Sequence, residues 1–284
     1  MKSSVNLLCA VLGVFVLAAA AHPSVIALPI PVSQDQDAGA ADASAVSTEA
    51  GRAALAAASA IKRDAYATAG EAREALLPDA ARAYEQVSLE KSFGQGDRVE
   101  GAFRAGEILR SRGFVEDAVA RFREASRMGL DHADPTVRSF AARGLLELAH
   151  VVRREDDMDA ALKAYADVRQ RFDKQRRQVA HACTWTIKLL VKAGRLDEAG
   201  AVALDLGPFL PDYSLEAVRN VDLLAGALME EGRTDSAHSA VARLEAGLRA
   251  DLADGETVTP QLEGALEALR AKMAVSGYSP PQGG

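Results

Sequence analysis

An alanine recurs along this sequence at a nearly constant interval. Each is followed four positions later by an apolar residue, which is mostly bulky, and three positions beyond that by a second one. The sets are Ala80/Tyr84/Val87, Ala118/Phe122/Ala125, Ala161/Tyr165/Val168, Ala199/Ala203/Leu206 and Ala237/Val241/Leu244, here called the alanine ladder. The step is 38 residues in three cases and 43 residues between Ala118 and Ala161. A period of this size predicts stacked helical hairpins, because one hairpin cannot bury its apolar face alone, and it favours a binding scaffold.

Apolar spacing predicts helices throughout the region of the alanine ladder. From Leu77 onward apolar residues recur at intervals of three and four, and no alternating strand pattern competes. The alanine-rich stretch from Thr48 to Ala75 predicts one long helix or two. The later predicted pairs are 97–111 with 115–128, 136–153 with 158–172, 177–192 with 196–206, and 215–230 with 234–251, and the final helix is 259–274.

Capping residues support these helix boundaries. Gly113, Gly194 and Gly232 are predicted to end helices, since glycine readily takes the left-handed conformation at a helix C-terminus. Asp134 and Thr259 each precede a proline and are predicted to begin helices. We also expect a longer connection between residues 129 and 136, which would account for the 43-residue step.

The first residues predict an export signal. Lys2 supplies a positive start, Val5 to Ala20 form an apolar run, and Ala19 with Ala21 are small residues suited to cleavage after residue 21. Cleavage after Ala27 is a second option. The alternative is an uncleaved membrane anchor, which is disfavoured because a spanning helix needs about 20 apolar residues. We therefore expect an exported protein, periplasmic or secreted, from a bacterial envelope.

The sequence predicts four segments. They are a signal peptide at 1–21, a flexible acidic linker rich in Ala, Pro and Asp at 22–47, a helical-repeat domain at 48–276, and a disordered tail at 277–284. The linker holds few large apolar residues and cannot build a core. Beyond the signal the sole cysteine is Cys183, so the mature chain has no internal disulfide and depends on packing.

The charge is unevenly spread along the chain. The formal net charge is -7, yet residues 138–192 contain more Lys and Arg than Asp and Glu. A basic middle between acidic ends is typical of a protein with an anionic partner, or of ordinary solvated helix faces.

Aligned on the ladder alanines, the hairpins share further features. Small residues stand where two helices would cross, an apolar residue follows three positions later, and a turn precedes the alanine, as in Gly106 and Leu109 before Ala118. Pro211 follows Ala199 by twelve positions. Over residues 65–275 this pattern resembles the tetratricopeptide repeat (TPR), with weaker aromatic positions in the last two hairpins and a longer period than the usual 34 or so.

The resemblance implies an all-α fold, a right-handed α-α superhelix of stacked antiparallel helix pairs. Its concave wall would be lined by the first helix of each hairpin and would bind peptides or protein segments. On this basis the candidate partner contacts in the groove are Phe103, Arg110, Arg143, His150, Arg153, Arg154, Lys188, Lys192 and Arg219. Arginine and lysine there could clamp the carboxylates of an acidic partner, or could instead be solvated and paired along their helices. The groove asparagines of the TPR clamp for acidic chaperone tails are absent, so that ligand is not expected.

Other candidate sites have simpler interpretations. The basic run from Arg169 to Arg177 could be a nucleic-acid patch, but export and overall acidity favour a solvated turn between repeats. His181 and Cys183 point to different helix faces, so we expect Cys183 in the core and no metal site. Trp185 is expected to pack between hairpins rather than rim the groove. Glu147 and His150 share a helix face, where a surface contact is more usual than an acid/base pair.

The sequence therefore predicts a non-catalytic scaffold or adaptor that binds a protein or peptide, with no nucleic acid, cofactor or metal. A membrane would be involved only through an uncleaved signal. Known catalytic motifs such as a phosphate loop or a Cys-x-x-Cys pair are absent from the sequence. Two alternatives stay open: an envelope enzyme, for example one acting on cell-wall glycans, and a structural oligomer.

Overall fold

The computed structural model describes residues 46–155, 157–204, 206, 210–253 and 259–277. Within them the chain forms eleven helices and no strand. These are α1 (Glu49–Ala67), α2 (Glu71–Leu89), α3 (Gln95–Ser111), α4 (Val115–Gly129), α5 (Pro135–Arg154), α6 (Met158–Arg171), α7 (Arg176–Lys192), α8 (Leu196–Leu204), α9 (Leu210–Glu230), α10 (Thr234–Ala253) and α11 (Pro260–Ala274). The predicted signal peptide, all but the last two residues of the linker and nearly all of the tail lie outside the described residues.

The helices stack as consecutive antiparallel pairs in two layers. Each odd-numbered helix contacts the next odd-numbered one, from α1 through α11, and forms one layer. From α2 to α8, each even-numbered helix packs against the odd-numbered helices on both sides of it and belongs to the other layer, as does α10, which packs against α9. The predicted all-α solenoid of stacked helix pairs is confirmed.

The predicted helix boundaries agree with the structure, with two informative differences. Gly70 has φ 64 and separates α1 from α2, so the stretch beginning at Thr48 is two helices. Helix α9 begins at Leu210, five residues earlier than predicted, and includes non-helical backbone at Tyr213, where two helical pieces meet at a kink.

The predicted capping residues take the expected conformations. Gly113, Gly194 and Gly232 have φ values of 83, 71 and 74, the left-handed conformation that ends a helix. The Asp134 carboxylate accepts from the backbone N–H groups of Thr136 and Val137, and these bonds lower the pKa of Asp134. The hydroxyl of Thr259 accepts from a backbone N–H group in the first turn of α11.

The alanine ladder marks where helices cross. All five ladder alanines are fully buried, as are the ring of Phe122 and that of Tyr165. On the facing odd-numbered helices, glycines allow close approach. A Cβ atom at Gly101 would lie 2.8 Å from the carbonyl oxygen of Tyr84, and one at Gly144 would lie 2.8 Å from that of Phe122. The repeat thus records a recurring backbone contact between layers.

The 43-residue step has a different origin from the one predicted. The connection between α4 and α5 spans 130–134 and is as long as the 90–94 connection between α2 and α3. The expected longer connection is therefore wrong. The extra residues lie within the helices, chiefly in α5, which has 20 residues where α3 and α7 have 17.

Ion pairs join successive hairpins at an equivalent position. An Arg195 Nη atom donates to Asp159 Oδ1 at 2.9 Å, and Arg233 makes the same contact to Asp197, one hairpin further on. Each arginine directly follows a left-handed glycine at the start of its hairpin's second helix. The carboxylates are largely exposed, so each pair contributes little stability, but together the pairs favour one register between hairpins.

A buried carboxylate fixes the start of the solenoid. Asp97 in α3 is 3% exposed and accepts from the Ser47 hydroxyl at 2.5 Å and the Thr48 backbone N–H at 2.8 Å. The Thr48 hydroxyl in turn accepts from the backbone N–H of Gly51 and caps α1. Ser47, the last residue of the predicted linker, is thus attached to α3.

Candidate partner-binding cavity on the odd-numbered helices

A polar cavity of about 470 Å³ opens between α5 and the beginning of α7, on the layer of odd-numbered helices. Its lining is mostly basic or amide side chains. The lining residues are Ser139, Arg143, Leu146, Glu147, His150, Gln175, Arg176, Arg177, Gln178 and His181. We call this the α5–α7 cavity.

Two of its three arginines are held by carboxylates. An Arg143 Nη atom donates to Glu107 of α3 at 3.1 Å, and its guanidinium lies over the Phe103 ring at 4.2 Å. Burial, only partly offset by Glu107, lowers the pKa of Arg143. Arg176 pairs with Asp212 of α9 at 3.2 Å. These contacts fix the side chains on which the cavity is built.

The third arginine, Arg177, has no carboxylate partner among the described residues and is exposed at the first turn of α7. The N-terminal end of a helix carries partial positive charge, which adds to that of Arg177. Glu147, the one acid among the described residues that line the cavity, accepts from an Arg110 Nη atom at 2.6 Å, and burial raises its pKa. The cavity therefore presents net positive charge.

His150 contributes a neutral ring rather than a charge. Burial and the nearby Arg153 lower the pKa of His150 to about 4, so the ring is uncharged near pH 7. Its Nδ1 atom lies 2.7 Å from the hydroxyl oxygen of Tyr165, whose pKa burial raises to about 12. The protonated Tyr165 hydroxyl can donate to Nδ1, and the ring proton is then on Nε2. In this arrangement His150 offers a single hydrogen-bond donor.

A tryptophan flanked by cations adjoins His150. The guanidinium of Arg153 lies 4.0 Å and the ammonium of Lys188 4.9 Å from the centre of the Trp185 ring. Both distances allow attraction between a cation and the aromatic face. His150 approaches the same ring edge-on at 5.7 Å. Trp185 is partly buried against the core, as predicted. It contacts the predicted groove residues Arg153 and Lys188 as well as His150 of the cavity wall.

The remaining predicted groove residues are placed differently. Phe103 is 1% exposed and packs against Phe122 and Phe140, so its assignment as a partner contact is wrong. The physical reason is that Arg143 from the next odd-numbered helix covers its ring. Arg110 donates a hydrogen bond to Glu147. Arg154, Lys192 and Arg219 are exposed on α5, at the end of α7 and on α9, and none of them lines the α5–α7 cavity.

Sequence reasoning missed several side chains of the cavity. The run from Arg169 to Arg177, interpreted as a solvated turn, contributes its first residues to α6 and its last two to α7. Gln175 and Gln178 are buried and Arg176 and Arg177 line the cavity. The sequence signal that could have revealed them is a pair of glutamines, Gln175 and Gln178, on either side of two arginines where a helix begins. Glu147 and His150 do not pair with each other: Glu147 accepts from Arg110 and His150 bonds to the hydroxyl of Tyr165, and both contacts are partly buried.

Three further observations concern the described part of the chain. Cys183 is fully buried, which confirms its place in the core. Among residues 46–277 that are described, no group of three or more His, Cys, Asp or Glu side chains is arranged to hold a metal ion. None of the helices described has both the length and the apolar character needed to cross a membrane.

The fold defines a class, the α-helical solenoids built from stacked hairpins. The sequence matches no protein-family model, and it matches no curated protein. Its structure is similar to a crystal structure of TPR-like repeats, nearly identical to one another, that are assigned to a kinesin light chain of Podosopora anserina. The two chains are 12% identical and superimpose with a TM-score of 0.42, over 74% of this chain and 97% of that one. A second crystal structure of those repeats gives the same identity and TM-score over 72% of this chain and 97% of that one.

Proposed function

We propose that the protein is an exported, non-catalytic scaffold that binds an acidic segment of a protein partner on its odd-numbered helices. The α5–α7 cavity is the centre of the proposed contact surface. The observation that carries the proposal is the unpaired charge of its lining: Arg177 has no carboxylate partner among the described residues, and the lining acid Glu147 is already bound to Arg110. Carboxylates of an acidic segment would neutralise the remaining positive charge of the cavity, and Arg177 would be the first side chain that they contact.

The surroundings of the cavity favour a chain over a small molecule. Arg154, Lys192 and Arg219 are exposed on the same helical layer and form no ion pair among the described residues, so positive charge continues beyond the cavity along α5, α7 and α9. An extended acidic segment could follow this charge across three hairpins. A compact anion would use the cavity alone and would gain nothing from the distant side chains.

Binding can be measured with the intrinsic fluorescence of Trp185, the only tryptophan in the sequence. The mature protein is titrated with a glutamate-rich peptide and with the same peptide carrying glutamine instead. We expect saturable binding of the acidic peptide alone, weakened by added salt because exposed charges are screened. Equal affinity for both peptides would contradict the proposal.

A charge-reversed variant locates the contact. Arg177→Glu should weaken binding by about tenfold, since it replaces an attraction by a repulsion at the cavity mouth. Arg127→Glu is the matched control, because Arg127 is an exposed arginine on the even-numbered helix α4. If the two variants lose affinity equally, the effect is one of net charge and the cavity is not the site.

Export and the partner itself are tested in cells. Fractionation should find the chain outside the cytoplasm and shortened at its N-terminus, and a retained cytoplasmic chain of full length would contradict export. Pull-down from envelope extract with the mature protein should recover a partner, and Arg177→Glu should reduce that recovery.

A further inference from the structure

A second cavity lies in the layer of even-numbered helices, away from the α5–α7 cavity. It has a volume of about 580 Å³, and α8 and α10 form its walls while α9 forms its floor. The floor consists of Ala217, Val221, Leu224 and Leu228, which share one face of α9. We call this the α8–α10 cleft. Its floor is about 16 Å long, given a rise of about 1.5 Å per helical residue.

The cleft is open because α8 is short and small on its inner face. Helix α8 has 9 residues, whereas α10 has 20. Gly200 stands in the middle of α8 and lines the cleft. A Cβ atom at Gly200 would meet only the Leu224 side chain, at 4.0 Å. A larger residue at this position would therefore enter the cleft without striking the backbone.

Charged side chains are distributed unevenly along the length of the cleft. Asp197 is held by Arg233, so these two neutralise each other. Asp235 stands in the first turn of α10, and Arg243 stands about two turns later, exposed at the mouth. Arg243 has no carboxylate partner among the described residues. The wall of α10 therefore offers one cation beside an apolar floor.

We propose that the α8–α10 cleft binds a single-chain anionic amphiphile, with the acyl chain on the floor of α9 and the head group at Arg243. The volume lies within the range of about 300–1,000 Å³ that is typical of small-molecule sites. Such sites combine an apolar lining with a few polar groups that fix orientation.

The test uses laurate and dodecanol, which share a chain length and differ in charge, at concentrations below micelle formation. Calorimetric titration of the full mature chain should show saturable binding of laurate and weaker binding of dodecanol. Arg243→Gln should remove most of the difference between the two probes. Laurate that fails to bind the unmodified chain overturns the proposal.

Filling the cleft provides the decisive variant. Gly200→Leu should weaken laurate binding by about tenfold or more, and leucine favours helix formation over glycine, so the fold is retained. Gly264→Leu is the matched control, because Gly264 is also helical and a Cβ atom there has no neighbour within 4 Å. Unchanged laurate affinity in a folded Gly200→Leu chain, shown by an unaltered helical circular dichroism spectrum, overturns the proposal.

Two other occupants would also be recognised. If the chain self-associates in sedimentation and Gly200→Leu abolishes that association, the cleft is an interface between copies and the proposal is overturned. If an amphipathic helical peptide binds and laurate does not displace it, a protein segment is the occupant and the proposal is likewise overturned.

Discussion

The Nδ1 atom of His150 lies 2.7 Å from the hydroxyl oxygen of Tyr165, which joins α5 to α6 within one hairpin. Tyr165 is the ladder residue at the centre of its hairpin and is fully buried. One hydrogen bond therefore connects the packing that defines the repeat with a side chain that lines the α5–α7 cavity.

Tyr165→Phe should lower the free energy of unfolding by about 1–3 kcal/mol, because it leaves a buried ring nitrogen of His150 without its partner. Urea denaturation followed by Trp185 fluorescence measures the change. Tyr66→Phe is the control, since Tyr66 is 47% exposed and stacks with Arg73 instead. Equal stability of the two variants would show that the Tyr165 hydroxyl adds nothing.

The stability of the fold should fall as the pH is lowered from about 6.5 to about 4 through His150. Burial depresses its folded pKa to about 4 from the ordinary value of 6.5, so the unfolded chain takes up a proton first. The contribution is present above pH 6.5 and is lost as the pH approaches the folded value. Urea midpoints at pH 7 and pH 4.5 should differ less in His150→Gln than in the unmodified chain. An equal difference in both would exclude His150 as the source.

Asp97→Ala should detach the start of α1. The substitution removes the acceptor for the Ser47 hydroxyl and the Thr48 backbone N–H, at a cost of about 1–3 kcal/mol. Hydrogen exchange should accelerate in residues 49–67 and much less in α5. Asp79→Ala is the comparison, because Asp79 makes only an exposed pair with Arg82. Uniform acceleration along the chain would indicate global destabilisation instead.

Gly106→Ala should destabilise the second hairpin by about 1–3 kcal/mol through overpacking. A Cβ atom there would lie 2.7 Å from the ring of Phe122, which is fully buried and has little room to move. Gly264→Ala, in open space, should instead raise stability by up to about 1 kcal/mol because alanine favours the helix. Thermal unfolding of both variants checks the opposite signs.

The fold could be predicted from the sequence because close helix crossings leave a trace at fixed intervals. Ala118 with Phe122 and Ala161 with Tyr165, for example, are pairs of fully buried residues one helical turn apart at the same place in their hairpins. No comparable pattern in the sequence reports the length of α5. Its extra residues extend a regular helix, and nothing in their spacing distinguishes this from a longer connection.

The candidate site was predictable only in part. Arg143 and His150 were assigned to the groove from the alignment of the hairpins and their resemblance to the tetratricopeptide repeat, and both line the cavity. Phe103 lies on an equivalent face of α3, but Arg143 from α5 covers it. Whether a neighbouring helix covers a side chain depends on contacts between hairpins, which periodicity within one helix does not report.

The hairpin of α7 and α8 is both donor and acceptor toward its neighbours, because Arg195 donates to Asp159 and Asp197 accepts from Arg233. Asp235 stands at the corresponding position of α10. Residues 196–233 thus contain both the aspartate and the arginine of this connection, so duplicating them would insert a segment whose two ends already fit. Solenoids with such connectors can change length by whole units during evolution, and the spacing of their binding surfaces changes with them.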